Sequence, residues 1–245
     1  MNQCRLVALL CATCTLLGAC ASDGGSKDPK DPYENLNRKV YTVNDVVDRA
    51  TLKPLARGYR AVLPRFARTG VSNFFDNLVT PRSAVNNVLQ GKPYAGGEDL
   101  FRFIINSTVG IGGLIDVASA AGMPEHGETF QETFAVWGIP DGPYIVLPFL
   151  GPHTMSDVFA LPFDIWAGPW YHYDNSSARD KLRVLRLVDI RYRILSADGL
   201  LEDSEDPYIA LREAYLQNRE FRIYDGDPPE SQEDEDLFNE FFEDD

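Results

Sequence analysis

Phe103-Ile104-Ile105-Asn106-Ser107-Thr108-Val109-Gly110-Ile111-Gly112-Gly113-Leu114-Ile115-Asp116-Val117-Ala118-Ser119-Ala120-Ala121-Gly122-Met123 spans 21 residues with one charge and four glycines. That length suffices for a helix to cross a bilayer. Three of the glycines, Gly110, Gly112 and Gly113, fall at its centre, where each costs about 1 kcal/mol relative to alanine in a helix. The stretch therefore reads as two short apolar arms joined by a flexible bend, re-entrant or interfacial. A buried core hairpin of a soluble protein is the other reading, and the rest of the chain has to choose between them.

Outward from this segment the pattern is helical. Asp31 as N-cap, Pro32 in the first helical position and Glu34 closing a capping box predict a helix start. Tyr33, Leu36, Val40, Val43 and Val47 recur at spacings of three and four as one stripe. Pro64 and Pro81 predict two further starts, Gly91 a stop, and residues 98–106 continue helically. Residues 133–172 carry glycine, proline and aromatics too often for long helices. Helix resumes over residues 177–196, stops at Gly199, and begins again at Asp206-Pro207 to run to about Tyr224. No alternating strands and no repeat of 20–50 residues occur, so the expected fold is mostly α.

The ends read differently. Arg5 followed by apolar residues 6–17 and Leu17-Gly18-Ala19-Cys20 has the form of a bacterial lipoprotein signal over residues 1–19, with Cys20 as the acylated new N-terminus. An ordinary secretory signal with a chance cysteine is the alternative. Cys4, Cys11 and Cys14 fall inside the signal, which leaves no possible disulfide in the mature chain. Ala21, rather than the Asp that retains such lipoproteins in the inner membrane, favours the outer membrane. Residues 20–30 form a tether and residues 31–224 one helical domain. Residues 225–245 hold eleven acids and no base, so the net charge of −14 belongs mostly to this tail. It reads as disordered, serving as a solubilising end or as a docking segment for a basic carrier, with Leu237, Phe238, Phe241 and Phe242 able to form an amphipathic turn. The body is nearly neutral, and no lysine and arginine excess suits it to nucleic acid.

Candidates for chemistry are few. Arg49, Lys53, Arg57, Arg60, Arg65 and Arg68 form a basic run with no acid until Asp76. It suits lipid phosphates, or forms a solvated face paired with acids elsewhere. His126, His153 and His172 lack metal-ligand spacing, and no G-x-S-x-G elbow occurs. Asp157, Asp164 and His153 are assigned capping and hydrogen-bonding roles. The expectation is no enzyme, no cofactor and no metal.

The segments Asp31-Pro32-Tyr33-Glu34-Asn35-Leu36-Asn37-Arg38, Lys53-Pro54, Gly70-Val71-Ser72-Asn73-Phe74-Phe75, Asn86-Asn87-Val88-Leu89-Gln90-Gly91, Arg102-Phe103-Ile104-Ile105-Asn106-Ser107-Thr108, Gly112-Gly113-Leu114-Ile115-Asp116, Trp137-Gly138, Gly142-Pro143-Tyr144-Ile145-Val146-Leu147-Pro148-Phe149, Asp198-Gly199-Leu200-Leu201, Asp206-Pro207-Tyr208 and Arg212-Glu213-Ala214-Tyr215 follow one another in order. Together, over roughly residues 29–222, they resemble the MlaA/VacJ family of outer-membrane lipoproteins. Gln131, Ala135 and Ser156-Asp157 depart from the family pattern, and the acidic tail is not part of it.

The resemblance implies a ring of amphipathic helices lying in the outer membrane around a central channel. Val109, Gly110, Ile111, Gly112, Gly113, Leu114 and Ile115 would form a gating hairpin hinged at its glycines. It further implies a lipid-anchored, periplasm-facing protein that removes mislocalised phospholipid from the outer leaflet. The partners are then phospholipid, a periplasmic lipid carrier and a trimeric porin. Apart from the resemblance, Arg57, Arg60 and Asn73 are the candidates for headgroup contact. A lipoprotein that stabilises a porin or the envelope without moving lipid is the competing reading. A lipid-modifying enzyme ranks last, for want of a nucleophile motif. The barrier to be lowered is large: a two-chain lipid has about 30 methylenes, and exposing them to water costs roughly 20 kcal/mol.

Overall fold

The computed structural model describes residues 28–171 and 173–229. The signal, Cys20, most of the tether and the tail from residue 230 lie outside them. The described chain is mostly helical: α1 (Glu34–Ala50), α2 (Leu52–Val62), α3 (Arg65–Leu89), α4 (Pro93–Thr108), α5 (Val117–Ala120), α6 (Phe130–Val136), α7 (Met155–Ala167), α8 (Ser176–Arg193), α9 (Asp198–Glu202) and α10 (Pro207–Ile223). Between α6 and α7 an antiparallel hairpin pairs β1 (Tyr144–Leu147) with β2 (Gly151–Thr154), Tyr144 opposite Thr154.

Several local expectations hold. Gly91 ends α3 with φ +81°, the left-handed conformation glycine adopts without strain. Asp206 caps α10 by accepting the Tyr208 and Ile209 amides, with Pro207 in the first turn. Others need correction. Asp31 is not an N-cap: it is fully buried, accepts from Asn37, Arg212 and the Tyr208 hydroxyl, and the helix begins at Glu34. Glu34 pairs with Arg38 one turn on instead of closing a capping box. Pro81 does not start a helix but lies inside α3. An interior proline there costs about 3 kcal/mol, because the Asn77 carbonyl loses its amide donor; the long packing of α3 on α4 offsets it. Gly199 lies inside α9 rather than ending α8, which stops at Arg193 before a 3₁₀ turn. The hairpin was not expected, because its strands are four residues long and carry no Asn-Gly turn signal. In the 133–172 stretch α7 also runs thirteen residues through Pro162, started by a Thr154–Asp157 capping box.

The interior of this fold is polar. Among the described residues, twenty-two buried side chains are polar or charged and ten are apolar, while thirty-five large apolar side chains are exposed. This reverses the arrangement in a water-soluble domain, which buries its large apolar side chains first. The reversal runs helix by helix. On α4 the buried face is Gly96, Asp99, Arg102 and Asn106, whereas Leu100, Phe101 and Ile104 point out. On α7 Ser156, Asp157 and Asp164 point in, and Phe159, Phe163, Ile165 and Trp166 point out. A small apolar cluster of Tyr144, Val146 and Tyr208 packs where the hairpin meets α10.

Polar contacts hold the helices together. Asp157 is fully buried, accepting Arg219 Nε at 3.1 Å and the Tyr215 hydroxyl, and so joins α7 to α10. Asp189 on α8 accepts from Tyr59 of α2 and Ser72 of α3 at 3.1 and 2.9 Å. Arg191 binds Asp48 and Asp198, both at 2.8 Å. Removing one member of such a buried set strands its partner, a loss of about 3–5 kcal/mol. Asp157→Ala is expected to lower the unfolding free energy by that amount in urea titrations of the detergent-solubilised chain; a loss below about 1 kcal/mol, the worth of an exposed pair, would contradict the polar-core account.

Candidate functional site

The glycine-rich segment closes against α3 as a docked turn. α4 ends at Thr108, and the chain then reverses through Ile111, Gly112 and Gly113 at φ +55°, +68° and +90°. The reversal is closed by Gly113 N donating to Asn106 O at 2.7 Å and Ile115 N donating to Gly110 O at 2.9 Å. Gly110 is obligatory, since a Cβ there would lie 2.1 Å from the Ile115 carbonyl oxygen. Gly113 faces the Asn77 side chain, 2.7 Å from where its own Cβ would stand. From α3, Asn77 donates to Ser107 Oγ at 2.9 Å and Asn73 donates to the Leu114 carbonyl at 3.3 Å. Val109, Ile111, Leu114 and Ile115 project outward, exposed. The turn thus has a polar underside and an apolar outer rim.

A buried latch holds its base. Arg102 donates to Met123 O at 2.6 Å and Ser119 Oγ at 3.0 Å, and pairs with Asp116 at 3.3 Å. Asn106 donates to Asp116 at 2.9 Å and accepts the Ala118 amide at 3.0 Å. Asp116 also caps α5 through the Ser119 amide. Burial alone would raise the Asp116 carboxyl, but the Ser119 and Asn106 hydrogen bonds and the Arg102 charge outweigh it and hold it below the usual range.

Beside the turn, polar groups of α3, α4 and α6 make a continuous interior. Ser83 and Asn87 donate to Asp99 Oδ2, the Glu128 amide donates to Ser83 Oγ at 2.8 Å, and Gln90 donates to Glu128 at 2.7 Å. Two cavities open here and share Glu125, Gly127 and Glu128. One of about 30 Å³ lies against Asp76, Arg82 and Asp99; the other, about 210 Å³, lies against Glu132 and Arg222. The larger falls short of the 300 Å³ or so at which drug-sized pockets begin.

The structure separates the sequence-derived candidates. Residues 109–115 form the turn and Asn73 touches it. Arg57 and Arg60 stand exposed on α2, with no hydrogen bond or salt bridge among the described residues; Cys20 lies outside them. The basic run is divided: Arg49 pairs with Asp45, Lys53 with Asp198 and Glu202, and Arg68 stacks on Tyr192. Asp157 and Asp164 hold helices together, as expected of capping and hydrogen-bonding groups. Among the described residues no group of three or more His, Cys, Asp or Glu is placed to hold a metal, and no helix is long and apolar enough to cross a membrane. The Arg102–Asn106–Asp116 latch was not foreseen. Its signal was Asp116 itself, the one charge of the apolar stretch, three residues before a serine.

A family model described as MlaA lipoprotein matches residues 29–222. The intermembrane phospholipid transport system lipoprotein MlaA of Escherichia coli (strain K12) is 37% identical over 235 residues, covering 89% of this chain and 88% of that protein. The Haemophilus influenzae protein of the same name is 35% identical over 243 residues, covering 93% of each. A solved structure reported as "Structural basis for maintenance of bacterial outer membrane lipid asymmetry" matches with a TM-score of 0.69 at 37% identity, covering 79% of this chain and 98% of that one.

Two substitutions test how the turn is seated. Gly112 meets nothing within 4 Å of a built Cβ, so Gly112→Ala costs only its backbone strain, about 1–2 kcal/mol. Gly113→Val meets the same strain plus Asn77 and should be several-fold more disruptive in melting; equal effects would show that the turn is not docked. The latch predicts a pH effect as well. A carboxyl with a depressed folded-state pKa stabilises fully above its unfolded value, and that stability is lost as pH falls through the folded value. A fluorophore on Ile111→Cys should therefore gain mobility only below about pH 3.8, and the added Asp116→Ala change should free it at every pH.

Proposed function

The chain belongs to the MlaA lipoprotein family, and we propose that it removes mislocalised phospholipid from the outer leaflet of the outer membrane and passes it to a periplasmic carrier. The observation that carries this reading is the reversed polarity of the fold. Apolar faces on α4, α7 and α8 suit contact with lipid chains, and the polar faces they turn inward suit a lipid headgroup. The helices then lie in the membrane plane as a ring, since none in the described chain is long and apolar enough to cross, and acylated Cys20 adds a chain-by-chain anchor of about 0.8 kcal/mol per methylene.

In this mechanism the headgroup leaves one polar environment only for another, and the tails stay against apolar walls. The desolvation barrier of free extraction is avoided without ATP. Residues 109–115 gate the passage, with Gly110, Gly112 and Gly113 as hinges, and the docked turn is the closed state. Opening exchanges the Asn73 and Asn77 contacts for contacts with the incoming lipid, and Asn73 is then placed to meet its headgroup. Arg57 and Arg60, on the outer side of α2 beside exposed Leu55 and Val62, contact headgroups of the surrounding leaflet. The outer apolar surface also offers a trimeric porin a place to seat the ring, and the acidic tail steers a basic carrier.

Full chain in proteoliposomes, with tail-labelled phospholipid and a cyclodextrin acceptor, tests the proposal. Transfer at least tenfold faster than from protein-free vesicles is expected. A rate equal to that of protein-free vesicles, from protein that still binds porin, would favour a purely structural lipoprotein.

A further inference from the structure

The smaller of the two cavities, about 30 Å³, has a wall of mostly one sign. Among the described residues that line it, Asp76, Asp99, Glu125 and Glu128 are acids and Arg82 is the one cation. Three of these charges are already answered. Arg82 pairs with Asp164 at 3.3 Å and Asp76 with Arg193 at 2.9 Å. Glu128 accepts from Gln90 at 2.7 Å, and Lys92 stands 3.7 Å from it while holding Asp225 at 2.6 Å. Asp99 on α4 is different. It is fully buried, and no lysine, arginine or histidine of the described chain pairs with it.

The two oxygens of Asp99 are treated unequally. Ser83 and Asn87 of α3 both donate to Oδ2, at 2.5 and 3.0 Å, and Oδ1 accepts from nothing. Asn87 Oδ1 and Gln90 Oε1, on side chains bonded to Asp99 and Glu128, also lack a donor. Arg82 Nε is the one unused donor beside these three unused acceptors. A buried carboxylate oxygen without a donor loses hydration that nothing repays, so this wall calls for a small, positively charged donor. The cavity has room for a group the size of a water or two. A metal ion does not suit it, because no three His, Cys, Asp or Glu side chains of the described chain stand close enough to ligate one. A primary ammonium does, since its three N–H groups can each meet a separate acceptor. Glu125 and Gly127 are exposed and line the larger cavity as well, so the rim lies on their side.

We propose that this cavity binds the primary ammonium group of a phospholipid headgroup, with Asp99 Oδ1 as its main acceptor, Glu128 as a second and Glu125 at the rim. This rests on the transport reading above and adds to it the headgroup chemistry recognised inside the protein. Phosphatidylethanolamine is then the preferred lipid. Phosphatidylcholine loses every N–H to methyl groups that also outgrow the cavity, and phosphatidylglycerol brings no cation.

Binding of tail-labelled phosphatidylethanolamine and phosphatidylcholine, with identical chains, to the detergent-solubilised full chain tests this, because the two headgroups differ only at nitrogen. Wild type is expected to hold phosphatidylethanolamine about tenfold more tightly, the worth of a charge-assisted hydrogen bond. Asp99→Asn should bring it down to the phosphatidylcholine level and leave phosphatidylcholine unchanged. Glu125→Gln, at an exposed residue with no partner to strand among the described residues, should melt as wild type does. It should weaken phosphatidylethanolamine binding about threefold, the worth of an exposed pair, and with the wild-type ratio it decides the matter if Asp99→Asn does not fold. Equal binding of the two lipids by wild type, or a preference that survives both substitutions, overturns the ammonium site while the transport reading stands. If wild type binds neither lipid, the transport reading itself fails. A melting temperature raised by ammonium chloride and not by choline chloride, with the rise lost in Asp99→Asn and no preference between the lipids, overturns the lipid assignment in favour of a free cation.

Discussion

A buried polar group loses its water and regains stability only from a partner inside the protein. Left unpaired it costs about 1–3 kcal/mol, and more if charged. In this chain that constraint falls on the whole interior, because the large apolar side chains are spent on the outside. The helices are joined by Asp157 with Arg219, Asp189 with Tyr59 and Ser72, and Arg191 with Asp48 and Asp198. These contacts are directional where apolar packing is not, so each fixes the rotation of a helix about its own axis. All four cysteines precede residue 28, and no disulfide is there to do the same task.

The same constraint bears on the gate proposed for the glycine-rich turn. Its underside is held by few and specific contacts, from Asn73, Asn77 and the Arg102–Asn106–Asp116 latch, and its rim is apolar and bare. The opening proposed above would break hydrogen bonds that a headgroup can replace, whereas a turn held by a packed apolar core would have to expose that core. The left-handed conformations of Ile111, Gly112 and Gly113 localise the bend to three residues.

Much of the helical layout was legible from local chemistry: the α10 start at Asp206-Pro207, the α3 stop at Gly91 and the bend within residues 109–115. What misled was direction. Tyr33, Leu36, Val40, Val43 and Val47 mark a helix face correctly, yet in α1 Val43 is exposed and the fully buried residue is Asn37. Periodicity locates a face and is silent on whether it turns toward protein or away from it. Asp31 and Pro81 escaped for a related reason. Each obeys a local rule for helix ends, and tertiary contacts override it: Tyr208 and Arg212 in the first case, and the long α3–α4 packing in the second. The latch was hidden because its members are 10 and 14 residues apart and only the fold of the turn brings them together.

The central claim is that the exposed apolar faces meet lipid and the buried polar faces do not. Photolabelling of the full acylated chain in native outer membranes with a lipid-soluble diazirine, mapped by mass spectrometry, addresses it directly. Label concentrated on outward residues such as Leu100, Phe159, Trp166 and Leu187, and absent from the Asp99 and Asp157 faces of the same helices, is the outcome this account requires. Those outward residues unlabelled by the diazirine and modified by a water-borne reagent would contradict it.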